Sequence, residues 1–153
     1  MKSSSYDTDY YQWTRQQIAL LASHQFDKLD IVHLTEELGD MGNSARNEIE
    51  SRFTVLLAHL LKLEFQPEQQ ARGWFGSIRE QRLRIAKVIK KNASLQSYPL
   101  LVMEECYQDA LKIAMDNTGL PRERFPSACP YTVEDALDED FFPQPRSEWP
   151  EPG

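Results

Sequence analysis

The sequence predicts an all-α fold: an antiparallel up-down helical bundle of about four main helices with an irregular C-terminal extension. Three observations predict it. Apolar residues recur at three- and four-residue spacing over most of the first 120 positions. Breakers are rare there, because Gly numbers only six in 153 residues and most of the nine Pro lie beyond Leu120. No stretch carries a convincing strand pattern, no internal repeat is visible, and short links between long helices favour antiparallel neighbours.

The first helix is expected to carry Tyr6, Tyr10, Trp13, Leu20 and Leu21 on one face and to end near Ser23. Asp7, Thr8 and Asp9 suit its N-terminus, where side-chain oxygens accept free backbone N–H groups. His24 to Leu29 form a connection. Asp30 then reads as the N-cap of the strongest segment, whose apolar series runs Ile31, Leu34, Leu38, Met41, Ala45, Ile49, Phe53, Leu56, Leu60, Leu63. Gly39 and Gly42 interrupt this series, at a cost of about 1 kcal/mol each relative to Ala. The phase survives them, so one long helix is preferred over a break at Gly42 with Ser44 as a new cap.

Pro67 marks the next turn, and a helix is expected from about Glu68 to Lys91 with Trp74, Ile78, Ile85, Val88 and Ile89 on its apolar face. After a connection over Asn92 to Ser97, Pro99 suits the first helical position, where its missing N–H costs nothing. The fourth helix carries Leu100, Met103, Tyr107, Ala110, Leu111 and Ala114 and stops at Gly119, followed by Leu120 and Pro121. Residues 121–131 are Pro-rich and expected to loop over the bundle, and Thr132 is a candidate cap for one short turn ending near Leu137. The domain reading is a single bundle over 1–143 and an irregular tail over 144–153, from whose loss little change in stability is expected.

Composition bounds the function class. With 41% hydrophobic and 27% charged residues the chain is globular. No apolar run approaches the ~20 residues of a membrane helix, and MKSSSYDTDYY holds no apolar signal region, so a cytoplasmic protein without a membrane partner is expected. Cys106 and Cys129 match no zinc spacing and are expected to be reduced thiols. The net charge of −7 argues against nucleic acid as the main partner. Charge is uneven, however: residues 71–91 sum to +6 and the rest of the chain to −13. Arg72, Arg79, Lys87 and Lys90 fall on the outward face of that basic helix, onto which the acidic run 134–140 could fold back.

Several motifs stand out in combination: Tyr10–Trp13 (YYQW), Phe26–Asp30 (FDKLD), Leu34–Gly42 (LTEELGDMG), Ser51-Arg52, His59–Lys62 (HLLK) leading into Gln66-Pro67, Trp74–Arg82 (WFGSIREQR), Thr118–Pro121 (TGLP) and Cys129–Tyr131 (CPY). Together they resemble the bacterial family called domain of unknown function 29, over roughly residues 6 to 143. The resemblance implies a helical bacterial protein and brings no assigned activity. Where that family often has a third acid after Glu36-Glu37-Leu38, this chain has Gly39, which would impair any site needing that carboxylate.

Candidate chemistry centres on polar residues at apolar faces. His59 lies about 80° from the centre of its helix's stripe at 100° per residue, with Arg52 on the same flank. Gln81 falls on the stripe of the next helix between Ile78 and Ile85. A buried amide needs partners, and across an antiparallel pair His59 is the expected one, with Arg46 and Arg52 approaching from farther off. Trp74 would wall such a site and Arg82 adjoin it. The plain alternative is a network that fixes helix register. Of carboxylate–metal patterns only the reversed His33-x-x-Glu36 occurs, and His33 is expected on the solvent side. No phosphate loop or nucleophile motif is present.

The binding residues nominated are therefore Arg46, Arg52, His59, Trp74, Gln81 and Arg82, with no metal or cofactor expected. Abundant bundle-forming features without a catalytic signature favour a non-enzymatic interaction or adaptor module, its partner a protein or a second copy of the chain. The alternative is a small-molecule or metal-dependent enzyme with a site around His59, Gln81 and Arg82. A third reading is a nucleic-acid-associated regulator using the basic helix 71–91.

Overall fold

A computed structural model describes residues 5–66 and 72–145, the side chain of Arg72 apart. The Pro67 turn, the helix start expected at Glu68 and the tail from 146 on, with Trp149, lie outside the described residues. The described elements are helical, with no strand among them. The chain gathers into two compact units, Met1–Asn43 and Ser44–Gly153, where the sequence predicts one domain over 1–143.

In the first unit the single expected helix is two: α1 (Ser5–Thr8) and α2 (Tyr10–Ala22). Asp9 divides them. Its non-helical backbone (φ −149°) lets its carboxylate accept the Gln12 N–H at 3.0 Å, which caps α2. Helix α2 ends where His24 turns left-handed at φ 60°. A 3₁₀ turn (Phe26–Lys28) leads to α3 (Ile31–Phe65), which is continuous across Gly39 and Gly42. Asp30 caps it, its Oδ1 accepting the His33 N–H at 3.3 Å. Tyr10 hydrogen-bonds Glu37 while Gln17 hydrogen-bonds Asp30, so α2 runs antiparallel to the first part of α3.

The expected apolar face of α3 has two fates. Ile31, Leu38 and Met41, members of the expected apolar series, are 60%, 66% and 69% exposed. In α2 only Trp13 and Gln17 are buried. A lone neighbouring helix cannot cover a stripe this wide, because an amphipathic helix needs several neighbours to bury its whole apolar face.

In the second unit the rest of α3 joins α4 (Arg72–Lys91) and α5 (Tyr98–Thr118) around one core. Ile49, Phe53, Leu56, Leu60, Ile78 and Tyr107 are wholly buried in it. Arg52 meets Gln81 and Lys62 meets Trp74, so α4 descends against α3. Tyr98 meets Glu50 and Gln66 meets Thr118, so α5 ascends beside α3. The up-down-up order is the one short links favour.

Helix α5 opens at Tyr98, one residue before the expected start at Pro99, and closes at Gly119, φ 71°. A Cβ there would meet no atom within 4 Å, so only the backbone conformation demands glycine. Gly119→Ala is therefore expected to lose about 1 kcal/mol, the left-handed penalty of an L-residue. Chemical denaturation with unchanged slope checks this, and an unchanged midpoint would contradict it.

The C-terminal segment carries more of the core than a loop would. Phe125, Tyr131 and Ala136 are buried in it, and the Tyr107 hydroxyl donates to the Pro126 carbonyl at 2.6 Å. Thr132 caps the short α6 (Val133–Leu137), its Oγ1 accepting the Asp135 N–H at 3.0 Å.

Candidate functional site

The six residues nominated from the sequence are distributed rather than gathered. Gln81 is half-buried and its Oε1 accepts from Arg52 Nη1 at 3.2 Å, while Arg52 Nε pairs with Glu48 at 3.0 Å. His59, the expected partner of Gln81, instead turns its Nδ1 to the Val55 carbonyl one turn back, at 2.9 Å. Arg46 lies over the Tyr98 ring at 4.9 Å, and Tyr98 donates to the Glu50 carboxylate. Trp74 receives the Lys62 ammonium over its indole at 5.4 Å. Lys62 is 4% exposed, and burial lowers its pKa from the ordinary lysine value.

Arg82, not Gln81, is the deeply buried polar residue among the described side chains of α4. Its Nε donates to the Ala136 carbonyl at 2.8 Å and its Nη2 to the Phe141 carbonyl at 2.7 Å. The acidic C-terminal run thus folds back onto α4 through its backbone. Arg79 and Arg82 both stack on Phe142, at 5.6 and 5.2 Å. Beside them lies a cavity of about 460 Å³ that Glu139 and Asp140 also line. Two guanidiniums and two carboxylates offset each other there, so this cavity selects for neither sign of ligand charge. Arg79, Lys87 and Lys90 are exposed along α4 as the helical period requires.

Residues 5–43 hold a different constellation. Tyr6, Tyr10, Trp13 and Gln17 follow one another at helical spacing and meet α3. The Glu37 carboxylate accepts both tyrosine hydroxyls, at 2.5 Å from Tyr6 and 2.6 Å from Tyr10. Those two bonds lower the pKa of Glu37 and push Tyr6 up to about 12, so the acid stays ionised and the phenol neutral. The Asp30 carboxylate accepts from Trp13 Nε1 at 3.0 Å and pairs with His33 Nδ1 at 2.7 Å. His33, expected toward solvent, stacks on the Tyr6 ring at 3.9 Å. The expectation used only the stripe of α3, and α1 supplies a ring that α3 alone does not reveal.

Beside this knot runs an apolar groove of about 210 Å³ between α2 and α3. Ile18 and Leu21 wall one side and Leu34, Leu38 and Met41 the other, and Tyr10 and Glu37 line it too. The signal for the knot was legible: a Tyr-x₃-Tyr-x₂-Trp series puts two hydroxyls and an indole N–H on one face, and such groups seek acceptors. What it lacked was the acceptor, which the antiparallel register supplies.

The histidines carry a pH signature. The hydrogen bond that the His33 ring gives to the Asp30 carboxylate raises the His33 pKa above the ordinary imidazole value, with Glu36 and Asp7 adding to it, whereas burial lowers that of His59. A raised His33 contributes stability below its unfolded pKa and loses it as pH rises through the folded one. Asp30, lowered chiefly by His33, contributes stability above its unfolded pKa and loses it as pH falls through the folded one. In an NMR titration His33 is expected to titrate above His59, and Asp30→Asn to bring His33 down. Coincident titrations would contradict the pairing.

Among the described residues no group of three His, Cys, Asp or Glu side chains could hold a metal ion. Cys106 and Cys129 are free, and burial raises both thiol pKa values. No described helix is long and apolar enough to cross a membrane. Comparison with curated proteins and with solved structures finds no match. Comparison with protein families finds one spanning residues 5–142. That span reaches through most of both units to the C-terminal segment held by Arg82, and the chain belongs to the family described as domain of unknown function DUF29.

Proposed function

We propose that this chain is a bacterial, cytoplasmic protein-interaction module that works by binding a partner protein and not by catalysis. The observation that carries this reading is the uncovered apolar face of residues 5–43. Ile18, Leu21, Leu38 and Met41 are 46–69% exposed and lie along one groove. Contiguous apolar surface rimmed by polar residues is costly to leave in water and marks interaction sites on soluble proteins. The polar residues favoured for chemistry support the same reading: His59, Gln81 and Arg82 each hydrogen-bond a different group.

Affinity capture from the native host tests the reading, with wild type and Leu38→Glu run side by side. Leu38 is exposed, so the substitution is expected to leave folding intact. A protein retained in amounts comparable to the bait by wild type and lost with Leu38→Glu is the expected result. Equal recoveries with both chains, or none with either, would overturn the reading.

A further inference from the structure

We propose that the groove between α2 and α3 takes a basic amphipathic helix from a partner protein. This inference rests on the interaction reading above and names the chemistry of the occupant. Shape comes first. Ile18 and Leu21 on α2 and Leu34, Leu38 and Met41 on α3 are spaced by three or four residues, so each helix offers a straight apolar rail. On α3 the rail from Leu34 to Met41 spans about 10 Å at 1.5 Å per residue, two helical turns, and Ile18 and Leu21 face it over one turn of α2. A trough between two antiparallel helices is filled by the apolar face of a third, which anchors at i, i+3 or i+4, and i+7.

Charge then chooses among occupants. Residues 5–43 hold seven carboxylates against two basic side chains, Arg15 and Lys28. Glu37 lies in the groove wall and its two tyrosine bonds keep it ionised. Glu36 and Asp40 are exposed on the same helix, within electrostatic reach of Tyr6 and Tyr10 respectively. A second copy docking groove to groove would bring the same excess of negative charge against itself, and its basic helix α4 keeps its apolar face, with Ile78 and Ile85, in its own core. An anionic membrane surface would be repelled likewise. A helix with leucine-like residues on one face and Lys or Arg on its flanks meets both the apolar rails and the surplus of carboxylates on residues 5–43.

The test uses the full chain and three synthetic helical peptides of about 15 residues. They share one leucine pattern and carry Lys, Gln or Glu on the flanks, and calorimetry measures their binding. The Lys peptide is expected to bind one to one, at least tenfold more tightly than the Gln peptide, with the Glu peptide weakest. Its affinity is expected to fall several-fold between 50 and 300 mM salt as the charges are screened. Leu38→Glu is expected to abolish binding. Glu36→Lys with Asp40→Lys, both at exposed positions, is expected to weaken the Lys peptide about tenfold and to leave the Gln peptide unchanged. Equal binding of all three peptides would overturn the inference, as would binding of the Lys peptide that survives Leu38→Glu. A wild-type dimer in sedimentation that Leu38→Glu dissociates would assign the groove to a second copy, overturning the inference while the interaction reading stands. Capture of a partner through Leu38 with no binding of the Lys peptide would do the same. Loss of both capture and peptide binding would end both readings.

Discussion

Arg82→Met is expected to destabilise the second unit by about 3 kcal/mol. The side chain is 3% exposed and its donors hold the carbonyls of Ala136 and Phe141 at 2.8 and 2.7 Å. Methionine keeps much of the volume and removes every donor, which leaves those carbonyls without their guanidinium partner. Hydrogen bonds to a charged group contribute about 1.5–3 kcal/mol each. The guanidinium's own desolvation offsets part of that, and burial does lower its pKa. Two bonds less that offset give the figure above. For a chain of this size the loss corresponds to roughly 6–12 °C in Tm. Arg82→Lys keeps one point donor and is expected to fall between, because an ammonium cannot span carbonyls five residues apart as a planar fork does. Thermal unfolding followed by circular dichroism checks the order wild type, Lys, Met. A Met variant as stable as wild type would show that the carbonyls find water instead.

Trp13→Ala is expected to act locally and strongly. Trp13 is 3% exposed, contacts the rings of Tyr6, Tyr10 and His33, and donates Nε1–H to Asp30. Truncating a buried Trp costs about 3–5 kcal/mol. In the first unit it is the one apolar side chain buried among the described residues, so little else remains to hold α2 against α3. The expected outcome is loss of amide protection over Tyr10–Ala22, while the amides of the α3 segment around Leu56–Leu61 keep theirs. Uniform loss of protection along the chain would contradict this, and so would no loss at all. Trp13→Phe keeps a ring and drops the indole donor, and is expected to retain most of the protection.

Much of the fold was legible because its signals are local. Asp30, Thr132, Pro99 and Gly119 each act on backbone groups within a few residues, so their roles follow from sequence position alone. The continuity of α3 was legible because phase is preserved across Gly39 and Gly42. What periodicity does not contain is how many neighbours a face will find. The same stripe is buried at Ile49, Phe53 and Leu56 and open at Leu38 and Met41. Adjacent positions at a stripe edge raise a related difficulty. Gln81 and Arg82 are 100° apart on α4, and the buried one is Arg82, because carbonyls more than fifty residues later turn toward it. The expected His59–Gln81 contact gave way to Arg52–Gln81 through side-chain reach: the long guanidinium crosses to α4, while the short imidazole closes on its own helix.

The separation of Arg82 from its acceptors has a consequence in time. Ala136 and Phe141 lie 54 and 59 residues beyond it. A chain made from its N-terminus, at about 5–20 residues per second, can form the α3–α4 hairpin while those carbonyls do not yet exist. For several seconds the guanidinium has only water for company, and water must remain at the place where Phe142 will later lie. The hairpin can therefore assemble early but stays hydrated and reversible. Closure of the second unit falls to its last-made segment, after α5 has brought Tyr107 and Leu111 into the core.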